Sequence, residues 1–311
     1  MTERAQVMLS EPPVRLCVVI PAFEGGAALH ACLNSVVRLP QESLQAIVVD
    51  NASTDGSVDS AEESFPEIIF LRNKKNRGFG KACNQGISLA MERGADLVLL
   101  LNQDAQLDGQ SLSSMLELAD RIPKAGAIGC RTYSGDPEHP EEARLLYCGA
   151  WKSWLPLWQR VPGIGQPFSR KSDPPMQVDY VWGHTMMLRC AALREAGSFD
   201  PGFFMYYEDL ELCERLKKNG WQIWCDTQAV SWHRIDDPSR AGKSELWRWQ
   251  LKQESCRHCY RLQSYRLPSD MLWLFTAARE GVSLLRNGYL RAAGHLLIAV
   301  LGSAFRSHRT N

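Results

Sequence analysis

Residues 15–50, RLCVVIPAFEGGAALHACLNSVVRLPQESLQAIVVD, decide how the chain folds. RLCVVI is a short, continuous apolar run closed by Pro21, the pattern of a strand buried on both faces. Leu29, Leu33, Val36 and Val37 then recur at helical spacing and stop near Pro40. AIVVD, residues 46–50, is a second buried strand. Outward from this unit the alternation repeats. Ser53 to Asp55 can cap a short helix, EIIFLR (67–72) is a third strand, and a Gly- and Asn-rich loop leads to a helix over 81–92. DLVLLLN (96–102) is a fourth strand. Apolar strands alternating with helices predict an α/β fold with a mostly parallel, Rossmann-like sheet flanked by helices.

Open sheets of this kind bind ligands beyond the carboxyl ends of their strands. The segments there are 21–24, 50–55, 73–80 and 102–104, rich in carboxylates, amides and glycines. From about 130 to 178 the pattern weakens into Gly, Pro and Trp, which reads as loops and short strands shaping a cleft. A strand over 178–189, a helix over 208–219 ended by Gly220, and a last strand pair over 222–233 follow. These boundaries divide the chain into an N-terminal extension (1–14), a catalytic domain (15–240) and a helical tail (241–311).

The 35 Lys and Arg balance the 35 Asp and Glu, so no overall basic charge points to nucleic acid. The balance is uneven along the chain. Residues 241–311 carry 11 Lys/Arg against 4 Asp/Glu, a net of +7, leaving −7 on the rest. The tail also holds Trp247, Trp249, Trp273, Phe275 and the run LLIAVLGSAF. Basic residues beside apolar faces suit either an interfacial helix or a packing surface, including a homodimer contact. Ten cysteines, several in apolar runs, point to a reducing compartment. With no apolar stretch of membrane-spanning length, the expected location is the cytoplasm, with peripheral attachment to the inner membrane face as an option.

Several residues have two readings. Asp104 in Asn102-Gln103-Asp104 can cap a turn after the fourth strand, or hold a hard divalent cation. Glu208 and Asp209 can complement a helix dipole, or supply a general base. His233 is a structural histidine or a metal ligand. In NRGFGKACNQG (76–86) the third position of a dinucleotide fingerprint is Cys83 and not Gly, which argues against a nicotinamide enzyme. Cys256 and Cys259 have zinc-like spacing but no second pair, and read as a helical coincidence.

Seven segments in order resemble the family 2 glycosyltransferases of the GT-A fold, above all rhamnosyltransferase-like bacterial members: CVVIPAFEGGAALHACLNSV, VVDNASTDGS, NRGFGKACNQGI, LLLNQDA, VDYVWGHTMMLR, GSFDPGFFMYYEDLELCERLKKNGW and AVSWH. They cover most of 15–235. The resemblance implies roles residue by residue. Pro21, Ala22, Phe23 and Glu24 run along a nucleoside, Asp50 contacts the base with Asn51 beside it, and Asn76, Gly80, Lys81 and Gln103 complete the nucleotide-sugar site. Asp104 matches the last position of the family's Asp-x-Asp motif and, with His233, would hold Mg²⁺ or Mn²⁺. Asn102 and Gln103 stand where that motif has other residues, so two of three positions are not carboxylates. Asp209 matches the general base, with Glu208 as neighbour and rival. Trp182, Gly183 and His184 replace the more usual Ser-Gly-Ala beside the acceptor. The implied reaction moves a sugar, such as L-rhamnose from dTDP-rhamnose, to a glycan or lipid-linked hydroxyl with inversion, in building a cell-wall or other surface polysaccharide. The rivals are a nucleotidyltransferase of similar core, for which PAFEGGAAL lacks a basic residue, and a non-catalytic sugar-nucleotide binder.

Overall fold

The computed structural model describes residues 14–40, 44–152, 159–170, 173–234, 245–262, 269–286 and 290–306. The N-terminal extension, up to residue 13, lies outside them. The first unit is as the apolar runs require: β1 (Leu16–Ala22), α1 (Gly26–Val37), β2 (Leu44–Asp50), α2 (Ser57–Ser64), β3 (Ile69–Arg72), α3 (Phe79–Glu92) and β4 (Leu97–Leu101). These strands pair in parallel in the order β4-β1-β2-β3. Alternate residues of β1 explain its unbroken hydrophobicity. Cys17 and Val19 enter one core with Ala82, Cys83 and Ile87 of α3; Leu16, Val18 and Ile20 enter a second with Leu29, Cys32 and Leu33 of α1. Helix α3 sits so close that a Cβ on Gly86 would lie 2.3 Å from Val19 Cγ1. Pro21 does not end β1 but pairs within it, opposite Val49.

The second half departs from the expected parallel pattern. β5 (Ala105–Leu107), α4 (Gly109–Arg121), β6 (Ala125–Ser134) and β7 (Leu145–Tyr147) are followed by a small hairpin, β8 (Trp151–Lys152) with β9 (Gln159–Arg160). Then come β10 (Met176–Gln177), β11 (Thr185–Arg189), α5 (Cys190–Ala196), α6 (Glu208–Lys218) and β12 (Gln222–His233). β11 enters antiparallel between β4 and β6, and β12 runs parallel to β6, completing a mixed ten-stranded sheet. Residues 222–233 form one strand, not a pair, with an irregularity between Asp226 and Val230. Only the second half of the predicted 178–189 strand is regular; Asp179 and Tyr180 instead hydrogen-bond to the Ala150 carbonyl.

Three helices close the described chain: α7 (Glu245–Leu262), α8 (Ser269–Arg286) and α9 (Leu290–Arg306). Cys256, Cys259, Tyr260, Leu272 and Trp273 join the core that holds α3 and α6, so α7 and α8 pack into the α/β body. Burial pushes the Cys256 thiol up to about 12, and the same cause raises Cys259. These are core thiols, consistent with a helical coincidence of spacing. All ten cysteines are buried, and none is in a disulfide.

Candidate active site

Three loops meet at the carboxyl ends of β1, β2 and β4. The Gln103 amide clamps the first from below: it accepts from the Phe23 N–H at 2.8 Å and donates to the Phe23 carbonyl at 3.0 Å. Glu24 donates its N–H to Ser53 Oγ at 3.0 Å, and its carboxylate accepts from Thr54 N–H and Oγ1 at 2.9 and 3.0 Å. Asp50, 3% exposed, accepts from the Ser53 N–H at 2.9 Å, with Arg72 Nη1 3.9 Å from its other oxygen. Asn51 accepts from Asn73 Nδ2 and the Arg77 N–H, and donates to the Gly78 carbonyl at 3.2 Å. Asn76 Oδ1 accepts from the Gly78 N–H at 2.9 Å, which shapes the turn ahead of Gly80 and Lys81. Asn51 and Gln103 thus hold loops in place, while Asp50 lies buried at the end of β2. The structure brings Phe23, Glu24, Asp50, Asn51, Asn76 and Gln103 to the carboxyl ends of these strands.

Antiparallel pairing of β5 with the end of β12 sets Ala105 opposite His233 and brings Asp104 against it. His233 Nε2 lies 3.0 Å from Asp104 Oδ1, yet it is buried and not aligned in a hydrogen bond. Asn102 Oδ1, at the same strand end, is also buried without a hydrogen-bond partner. The Asp104 carboxylate and the His233 imidazole, 3.0 Å apart, are ligand types that fit a divalent cation as partial ligands. Among the described residues no group of three or more His, Cys, Asp or Glu side chains gathers there. A cation would therefore draw its remaining oxygens from a bound diphosphate and water, which hard cations accept.

Glu208 and Asp209 open α6 behind two consecutive left-handed residues, Tyr206 (φ 73°) and Tyr207 (φ 67°). Glu24 and Ala52 are the other non-glycine residues with positive φ among those described, so all four border this site. Such conformations cost of order 1–3 kcal/mol each and persist where the surroundings impose them. The two carboxyls differ. Glu208 is 5% exposed and its Oε2 has no partner. Burial and the neighbouring Asp209 charge push it up to about 8. Asp209 is half-buried; burial raises it too, while the Gly183 N–H on Oδ2 at 3.0 Å and the Leu210 N–H on Oδ1 at 2.8 Å favour its ionised form. Burial and the Asp209 charge favour the neutral form of Glu208, and the two N–H donors favour the ionised form of Asp209.

Residues 182–184 join Asp209 to the Asp104–His233 pair. Gly183 meets Asp209, where an added Cβ would lie 3.2 Å from Phe79 Cε1, and the His184 ring lies 5.2 Å from that of His233. His184 Nε2 is 2.6 Å from Thr132 Oγ1, itself 2.9 Å from Ser231 Oγ. Trp182 stacks on Tyr147 at 4.2 Å. Tyr147, Thr132 and Ser231 escaped the sequence reading, because no local pattern marks them. So did α7. Its Ser255 Oγ donates to the Met205 carbonyl at 2.6 Å, and its His258 Nε2 is 3.1 Å from Asp200 Oδ1, which fastens the loop ahead of the carboxyl pair. A separate cleft of about 160 Å³ between Arg15, Asp96, Asp120 and Arg189 lies at the opposite, amino ends of β1 and β4.

A mixed sheet that gathers three polar loops, an Asp–His pair and a carboxyl pair at one strand edge is that of a GT-A glycosyltransferase. The chain belongs to glycosyl transferase family 2, whose pattern matches residues 17–197. It is 28% identical over 245 residues to the N-acetylglucosaminyl-diphospho-decaprenol L-rhamnosyltransferase of Mycobacterium tuberculosis, spanning 74% of this chain and 80% of that one. The fold is shared with the mannosyltransferase PcManGT of Pyrobaculum calidifontis, in complex with GDP-Man and Mn²⁺ (TM-score 0.59, 15% identity, 97% of this chain and 93% of that one). It is shared also with residues 1–349 of S. aureus TarS in complex with UDP-GlcNAc (TM-score 0.58, 17% identity, 92% and 81%).

Proposed function

We propose that the protein transfers a sugar, best read as L-rhamnose from dTDP-rhamnose, to a hydroxyl of a lipid-linked glycan, with inversion and with Asp209 as general base. The observation that carries this is the pairing of a half-buried Asp209, whose two oxygens accept from the Gly183 and Leu210 N–H groups, with a buried Glu208 whose Oε2 has no partner. Burial and the Asp209 charge raise Glu208 toward its neutral form, which favours placing the negative charge on the more accessible Asp209. Asp209 accepts the proton of the acceptor hydroxyl as that oxygen bonds to the anomeric carbon, and the bond to the diphosphate oxygen breaks on the opposite face. Proton removal by a placed base contributes typically about 10²–10⁴-fold. Asp104 and His233 would hold Mg²⁺ or Mn²⁺, which neutralises charge on the leaving diphosphate. Asp50 contacts the base, and Phe23, held by Gln103, lies along the nucleoside. The relative's lipid diphosphate acceptor supports the acceptor class and a place in building a cell-wall polysaccharide at the inner membrane face.

The test is transfer to N-acetylglucosaminyl diphosphate carried on a short, water-soluble alkyl chain. dTDP-rhamnose, UDP-GlcNAc and GDP-mannose are each supplied with and without Mn²⁺, and the product is read by NMR. Transfer with inverted anomeric configuration from dTDP-rhamnose is expected. Retained configuration would remove Asp209 from its role, transfer from another donor would replace the sugar, and donor hydrolysis alone would remove the acceptor class.

A further inference from the structure

Helices α8 and α9 each bury one face and leave an apolar one outside. Leu272, Trp273 and Ala277 of α8, and Leu296 and Ala299 of α9, are buried. On the outer side, Met271, Leu274, Phe275, Val282 and Leu285 are 40–55% exposed. At about 100° per residue they fall in one arc of roughly 100°. On α9, Leu297, Ile298 and Leu301 are 51–61% exposed and Leu290 is 71% exposed; these also share one arc. Scattered exposed leucines are ordinary, but two aligned stripes on neighbouring helices are not.

The charges are sorted as well. The only acids on α8 and α9 are Asp270 and Glu280. Both are taken by cations of α7: Arg257 Nε is 2.7 Å from Asp270, and Lys252 Nζ is 2.5 Å from Glu280. Arginines edge the apolar arcs instead, with Arg279 and Arg286 on α8 and Arg291 on α9 all exposed. Among the described residues no helix is long and apolar enough to cross a membrane. An apolar arc bordered by cations is the form of a helix that lies in a lipid interface.

We propose that the outer face of α8 and α9 docks on an anionic lipid bilayer, with its aliphatic side chains in the interface and its arginines among the headgroups. This rests on the lipid-linked acceptor read above. A second copy fits the face less well. An isologous contact would set this arginine-edged surface against itself with no carboxylate free on either helix to meet it. Docking also has a short route to the chemistry. α8 and α9 pack on α7, the helix whose Ser255 and His258 hold the loop ahead of Asp209. A membrane-borne acceptor and the general base would then be served by one helical layer.

The experiment is flotation of the full chain with vesicles of phosphatidylglycerol and phosphatidylcholine, against vesicles of phosphatidylcholine alone. Transfer to the soluble acceptor and sedimentation of the free protein are measured in parallel. The chain should float with the anionic vesicles. Arg286→Gln with Arg291→Gln should weaken binding by about 30-fold, at about fivefold per arginine. Leu274→Ser with Phe275→Ser should abolish it. All variants should keep the wild-type rate on the soluble acceptor, and the arginine pair, being exposed, reports even if the apolar pair fails to fold. Flotation unchanged in the arginine pair, or no flotation of an active wild type, would overturn the proposal. So would a dimer that the substitutions convert to monomer without loss of lipid binding. Normal flotation with no transfer to any acceptor would leave the docking surface standing and overturn the catalytic reading instead.

Discussion

On the donor side, the loops after β1, β2 and β4 are tied to one another by short polar side chains: Gln103 on Phe23, Ser53 and Thr54 on Glu24, Asn51 on Gly78. On the base side, the segment from Asp200 to Tyr207 is held from outside, by Ser255 and His258 of α7 and by the Phe79 N–H on the Phe204 carbonyl at 2.8 Å. The first arrangement ties loops of one sheet edge to one another. The second depends on a helix beyond the sheet, and it carries Asp209, the proposed base. Donor binding and proton transfer should therefore be separable by mutation.

The strongest separation is expected from Asp209→Asn. Transfer should fall by about 10²–10⁴-fold, with the dissociation constant of the donor nucleotide, measured by calorimetry, nearly unchanged. A parallel loss of donor binding would make the two sides one unit. Next is Gly78→Ala, at the seam between them. Its φ is +88°, and an added Cβ would lie 2.4 Å from the Phe204 carbonyl oxygen. A loss of roughly 2–3 kcal/mol of stability is expected from the strain and the clash together. Thermal denaturation reads it, and a melting temperature equal to wild type would show the seam to be soft.

Glu208→Gln tests the charge division inside the base side. The folded value of about 8 lies above the ordinary carboxyl value, so the native state binds the extra proton and stability falls as pH rises through that window. Glutamine removes this loss. The advantage of the variant should be small near about pH 5, widen to at least about 1 kcal/mol near pH 8, and level off above. A constant difference across that range would mean that Glu208 is ionised in the native state. The smallest effect is expected from Ser255→Ala. Losing the 2.6 Å bond to the Met205 carbonyl should cost about 1 kcal/mol and lower kcat, with donor affinity intact. A change confined to stability would reduce α7 to packing.

The same contrast explains what could be read in advance. β1, β2 and β4 are visible because each carries at least four consecutive apolar residues, and their carboxyl ends locate Asp50 and Asp104 without any knowledge of tertiary contacts. Helix α6 is visible from Leu210, Cys213 and Leu216. The antiparallel entry of β11 is hidden, since a strand buried on both faces looks alike in either direction. Residues 178–184 carry apolar signals but spend them on Tyr147 and Ala150, not on a ladder. The His184–Thr132–Ser231 chain links residues about a hundred positions apart, and nothing near Thr132 advertises a partner. The docking of α7 on Met205 is likewise a property of the assembled core. What the helices of the tail touch is no more readable from composition than what they leave exposed.

The ten buried thiols have a use of their own. They are spread from β1 to α7 and shielded in the native state, so a small alkylating reagent can reach each only when the surrounding structure opens. Mass-resolved labelling would then time those openings position by position. If Cys256 and Cys259 react before Cys17 and Cys83, the helical layer lifts while the sheet stays closed. Equal rates would mean that the base loop and its outer support open as one cooperative unit.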